Sequence, residues 1–131
     1  MTRTVFAGGE VFDGTGAPPV RADIAVEEGR IAEVGTGLSG DVVHDVAGRL
    51  VVPGLIDCHA HVLFDGMDVV ANQQQPFSLQ FYEAERNLRT VLASGVTTIR
   101  DAGGIDLGVK TALERGMIRG PRALIAITVL S

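Results

Sequence analysis

Cysteine is almost absent. Cys58 is the single one in 131 residues, which excludes an intrachain disulfide framework and fits a reducing compartment. Basic clusters are missing as well. Lys and Arg number 11 against 16 Asp and Glu, a formal charge of −5. Phosphate-rich partners need grouped cations, so this balance argues against nucleic-acid binding. Long hydrophobic runs are also lacking. The opening MTRTVFAGGEVFDG has no apolar core of signal-peptide length, and the longest strongly apolar stretch, ALIAITVL at 123–130, is far too short to span a bilayer. These absences point to a cytoplasmic protein without membrane contact. Length is short too: a complete (β/α)8 barrel needs on the order of 250 residues.

What is present is an ordinary globular balance, 46% hydrophobic and 21% charged residues, with an excess of glycine at 17 positions. The glycines punctuate the first fifty residues into short strands. Thr4–Phe6 and Glu10–Phe12 flank Gly8-Gly9, and residues 13–19 form a turn-rich connection. ADIAVEEGRIAEVG reads as a hairpin turning at Glu28-Gly29, and residues 41–46 add another strand. Residues 1–52 are therefore expected to form part of a small β-sandwich.

After Pro53 the pattern changes. Residues 54–62 read as an apolar strand, followed by a polar loop that includes residues 72–76, and Ser78 reads as the cap of a helix reaching Ala93. Leu88, Val91 and Leu92 give that helix its core stripe. Residues 96–101 form a β-branched strand, Asp106 caps a second helix carrying Val109, Ala112 and Leu113, and residues 123–130 read as a third strand buried on both faces. This β-α-β-α-β order in residues 53–131 implies an α/β unit with parallel strands.

The chemistry concentrates in VVPGLIDCHAHV, residues 51–62. Side chains alternate along a strand, so Asp57, His59 and His61 are expected on one face and Cys58 on the other. Imidazoles two residues apart lie roughly 6–7 Å apart at Cα and can converge on one ion. Asp57 can orient a ligand from behind. Burying two histidines and an aspartate on an apolar strand is costly without partners, and the end of a first parallel strand is where such barrels place their chemistry. Asp101 ends the second parallel strand at the same rim. It can form a wall behind the site, bind backbone N–H groups of its own turn, or pair with Arg100, and these readings stay open. His44 reads as structural, Gly103-Gly104 as a strand-to-helix turn, and Gln73 to Gln75 as a solvated loop.

VFDGTG, ADIAVEEGRIAEVG and VAGRLVVPGLIDCHAHV together resemble the opening of the metal-dependent amidohydrolase superfamily. NLRTVLASGVTTIRDAGG and GPRALIA are most similar to the branch of imidazolonepropionase-like enzymes and Xaa-Pro dipeptidases. The resemblance implies the start of a (β/α)8 barrel, about two and a half βα units, beside a β-sandwich. It implies that His59 and His61 are metal ligands, with one or two divalent ions, most often zinc, activating water against an amide or related C–N bond. It also implies further ligands from later strands: a lysine or glutamate, two histidines and an aspartate. A catalytic zinc needs three protein ligands and an open position, and this chain has three histidines in all. The expectation is an inactive part of a hydrolase for small molecules. The remaining barrel would come from a second chain or fragment, or be lost to cleavage or truncation. The competing expectation is a non-catalytic remnant that self-associates or binds a partner through open strand edges.

Overall fold

The computed structural model describes residues 2–64, 66 and 69–127, the side chains of Val69 and Gln73 aside. The chain divides into two compact units, Met1–Pro53 and Gly54–Ser131.

The first unit contains β1 (Thr4–Val11), β2 (Val20–Glu27), β3 (Arg30–Gly35), β4 (Val42–Asp45) and β5 (Leu50–Val51). They form one mixed sheet in the order β3-β2-β1-β4, with β5 also on β1. β1 runs antiparallel to β2 and parallel to both β4 and β5. β4 pairs with Thr4–Ala7 and β5 with Glu10 and Val11, so the two short strands follow one another along the same edge of β1. Among its described residues the first unit contains this one sheet.

The two short strands expected on either side of Gly8-Gly9 are one continuous strand. Phe6 opposes Ile24 and Gly9 opposes Ala22, so β1 carries an extra residue there. Gly8 takes φ +79°, and the glycine absorbs the bulge instead of ending the strand. The β2–β3 hairpin turns where the sequence predicts. Glu28 and Gly29 both have positive φ, as a two-residue type I′ turn requires.

Val5, Ala22, Ile24 and Ala25 are buried in this sheet, and Asp23 is buried beside them. Its two oxygens accept from the backbone N–H groups of Gly8 (2.7 Å) and Leu38 (3.0 Å). The Gly8 and Leu38 hydrogen bonds, in that order, hold the Asp23 carboxyl below the usual carboxylate range, against the opposing effect of desolvation.

The second unit contains β6 (Leu55–Ala60), α1 (Val69–Gln74), α2 (Phe77–Ala93), β7 (Val96–Asp101), α3 (Leu107–Glu114) and β8 (Arg122–Ile125). β6, β7 and β8 form a parallel sheet in that order. The alternating strands and helices are the α/β pattern expected. Buried Val62, Leu63, Ala84, Leu88, Ile99, Ile105, Val109 and Ala123 make one core between sheet and helices.

Helix boundaries follow local chemistry. The Asp106 carboxylate accepts from the Val109 N–H at 3.0 Å, capping α3 as its sequence predicts. Pro76, not Ser78, stands at the N-cap of α2, with no side-chain cap. Gly95 at φ +93° ends α2, its N–H bound to the Leu92 carbonyl at 3.0 Å. Residues 69–74, expected within the loop region, are helical. Ala and Gln favour helix, and the first breaker is Pro76. The third strand is shorter than expected. Ala123 is buried, Leu124 is exposed, and the backbone reaches φ +68° at Ile127. Residues 128–130 of the expected strand lie outside the described residues.

Two outcomes follow. Leu88 is fully buried, so Leu88→Ala should cost about 2–5 kcal/mol in urea unfolding. Asp23 has a depressed native pKa, so its contribution is full above the unfolded value of about 3.9 and lost as pH falls through the native value. Stability of the first unit, followed by circular dichroism, should therefore fall below about pH 4. Asp23→Asn should lower stability at neutral pH and flatten that acid limb.

Candidate metal centre

The site lies at the carboxyl end of β6. The strand is not regular there. Asp57 opposes Ile99 and Ala60 opposes Asp101, so three steps on β6 match two on β7. One extra residue is bulged out. Ile99 and Asp101 share a face of β7, so Asp57 and Ala60 share a face of β6. The expectation that Asp57, His59 and His61 share one face assumed an unbroken alternation, and the bulge breaks it. The Asp57 carboxylate instead accepts from the His59 backbone N–H at 2.9 Å, closing the bulge from below. Cys58 is exposed and free.

Downstream of the bulge the two imidazoles meet. Nε2 of His59 and Nε2 of His61 are 3.2 Å apart, with ring centroids 5.1 Å apart and planes at 71°. Nδ1 of His61 lies 2.9 Å from the Gly103 carbonyl oxygen. A carbonyl only accepts, so this nitrogen carries the proton, and neutral His61 presents its Nε2 lone pair toward His59. Two ligands of one tetrahedral zinc, each at about 2.0–2.1 Å, stand about 3.3 Å apart. The observed separation therefore suits a shared cation as well as an N–H···N hydrogen bond. Among the described residues, no group of three or more His, Cys, Asp or Glu side chains is arranged to hold a metal.

Asp101 closes β7 at the same rim. It is fully buried, and its oxygens accept from the backbone N–H groups of Val62 (3.1 Å), Gly103 (3.0 Å) and Ile105 (3.4 Å). It thus binds the turn after its own strand and, across the sheet, the chain leaving β6. Gly103 and Gly104 follow at φ +143° and +134°, conformations open to glycine. A Cβ on Gly104 would meet Leu63 Cβ at 3.0 Å. The pair forms a strand-to-helix turn that also aims a carbonyl at His61.

Asn87 on α2 is a further element of the site, and the residue pattern alone did not single it out. Its Nδ2 donates to the carbonyls of Val62 (3.0 Å) and Phe64 (3.4 Å), anchoring the segment after His61. Nothing in the spacing of α2 distinguishes an inward amide from a solvated one. His44 belongs to β4 in the first unit and stacks on Phe6, with ring centroids 5.2 Å apart.

Parallel strands alternating with helices, with polar side chains gathered at their carboxyl ends, define the opening of a (β/α)8 barrel. A family model described as the amidohydrolase family matches residues 50–131, and the chain belongs to that family. An imidazolonepropionase of Salmonella heidelberg strain SL476 is 49% identical over 47 residues, 33% of this chain and 12% of that protein. A solved prolidase complexed with N-methylphosphonate-L-proline is 35% identical, with a TM-score of 0.86 over 96% of this chain and 32% of its own. A solved amidohydrolase is 34% identical, with a TM-score of 0.90 over 99% of this chain and 32% of its own. The chain thus spans about a third of the solved proteins it resembles. Among the described residues, no helix is long and apolar enough to cross a membrane.

The anchoring by Asn87 is open to measurement. Asn87→Ala removes two amide-to-carbonyl contacts and should lower unfolding free energy by about 1–2 kcal/mol. Amide exchange should quicken at residues 62–64 and stay unchanged in the first unit.

Proposed function

We propose that this chain contributes part of the metal centre of a hydrolase acting on amide or related C–N bonds of small molecules. The observation that carries the reading is the convergence of the His59 and His61 Nε2 atoms to 3.2 Å. Family membership supports the reaction class. The likeness to an imidazolonepropionase and a prolidase supports a dipeptide, cyclic amide or imidazolone-like substrate.

In this reading His59 and His61 hold a divalent ion, zinc foremost, in a site of one or two ions. When bound, such an ion polarises a carbonyl and acidifies water, making hydroxide available near neutral pH. The chain's own residues do the positioning. Asp57 fixes the backbone from which His59 projects, and Asn87 fixes the segment after His61. His61 offers Nε2 because its Nδ1 proton is given to Gly103. The remaining ligands and the residue that handles the proton come from outside these 131 residues, in a further segment, a second chain or another copy. The 131 residues alone are inactive.

Zinc titration calorimetry on the metal-free chain tests this. Zinc uptake should be lost in both His59→Ala and His61→Ala and kept in His44→Ala. Unchanged uptake in the first two variants would overturn the metal role. Xaa-Pro dipeptides should remain intact with this chain alone. They should be cleaved when it is combined with a larger fragment carrying further histidines.

A second reading rests on exposed apolar side chains of the parallel sheet, Ile56 at 67%, Leu55 at 55% and Leu124 at 54% exposure. It takes the chain as a non-catalytic remnant that self-associates or binds a partner. Concentration-dependent sedimentation together with no zinc uptake would favour it.

A further inference from the structure

We propose that Asp101 is a positioning residue for His61: through the Gly103 carbonyl it locks His61 in the Nδ1–H tautomer and leaves the Nε2 lone pair facing His59. Three observations carry this. The Asp101 carboxylate is fully buried and accepts from Gly103 N and Ile105 N on one side and from Val62 N on the other. Those two segments hold the two ends of the His61 contact, since Val62 follows His61 and the Gly103 oxygen accepts from His61 Nδ1. The glycine pair at φ +143° and +134° supplies the backbone shape that lets one residue donate its N–H to Asp101 and turn its carbonyl to the imidazole.

An acceptor-only group suits this place. Three N–H donors converge on it, and a carboxylate has lone pairs for all of them without a proton of its own to misplace. An amide does not. Asn at 101 offers one oxygen and one NH2, so either the Val62 side or the Gly103 side meets a donor facing a donor. Whichever side gives way, the register between His61 and the Gly103 oxygen slips. His59 has no such brace. Its Nδ1 has no partner among the described residues, and its Nε2 meets only His61. The two imidazoles are therefore unequal, one fixed in tautomer and one set by its neighbour.

The experiment is nitrogen-15 NMR of the three imidazoles in the metal-free chain, about two pH units above the ordinary imidazole pKa of about 6.5. His44, in the other unit, is the internal control. In the unaltered chain His61 should be protonated at Nδ1 alone. Asp101→Asn should give a mixture of tautomers at His61 while circular dichroism shows a folded chain and His44 is unmoved. Gly103→Ala, which displaces the carbonyl while keeping the carboxylate at position 101, should do the same. An unaltered chain with His61 protonated at Nε2 overturns the proposal even where both variants fail to fold. A folded Asp101→Asn that keeps the pure Nδ1–H form overturns it as well. A consequence for zinc rests on the proposed metal role of the pair: Asp101→Asn should bind zinc about 10- to 100-fold more weakly. The two ideas fail separately. Absent zinc uptake with a locked tautomer removes the metal reading alone, and normal uptake with an indifferent tautomer removes the Asp101 proposal alone.

Discussion

Three backbone N–H groups, from Val62, Gly103 and Ile105, end on the two oxygens of one buried carboxylate. Much of the second unit depends on this contact. Parallel strands leave their carboxyl ends to loops, and loops carry backbone donors that neither sheet nor helix satisfies. Asp101 satisfies three such donors at one point and, in doing so, ties the exit of β6 to the exit of β7. Buried Leu63 and Ile105 then sit in the same core as Leu88 and Ile99. The histidine pair projects from the edge of that knot.

The first unit uses the same device independently. Asp23, buried within β2, accepts from Gly8 in the bulge of β1 and from Leu38 beyond β3. In each unit an aspartate at a strand position takes a donor from a segment distant in sequence, Leu38 for Asp23 and Val62 for Asp101. Each is joined to a glycine whose positive φ lets the backbone turn its N–H inward. Apolar burial supplies the bulk of the driving force, but it is non-directional. These carboxylates supply direction, fixing where loops run over surfaces that hydrophobic contact alone would leave free to slide.

Much of the architecture was legible because local chemistry and tertiary structure agree. Glu28-Gly29 turns the hairpin, Asp106 caps α3, Gly95 ends α2, and Leu88 lies in the core. The failures have a common origin. Reading the residues around Gly8-Gly9 as two strands treats glycine as a break, whereas pairing with β2 carries the strand through it. The shared face of Asp57 with the histidines assumes a period of two, and the bulge in β6, unlike the one at Gly8, has no glycine to mark it. For Asp101 the N–H groups of its own turn are among the expected partners, and Gly103 and Ile105 meet that reading; the Val62 N–H across the sheet is not foreseeable, because backbone donors are the same in every sequence. The Gly103 carbonyl escaped for that reason, and Asn87 because its acceptors are two carbonyls. The histidine pair is recognisable from its motif. What brings the two Nε2 atoms to 3.2 Å lies in a register and a turn.

The bulge in β6 bears on how such a site tolerates change. Substitutions alter one side chain and leave the rest in place. Loss of the Cys58 codon would restore a regular ladder with Ala60 still opposite Asp101, so both imidazoles would keep their side of the sheet. It would remove instead the two-residue reach over which Asp57 accepts from the His59 N–H. Position 58 therefore counts as length: its exposed side chain is free to vary, while its presence sets how the strand closes ahead of the histidines.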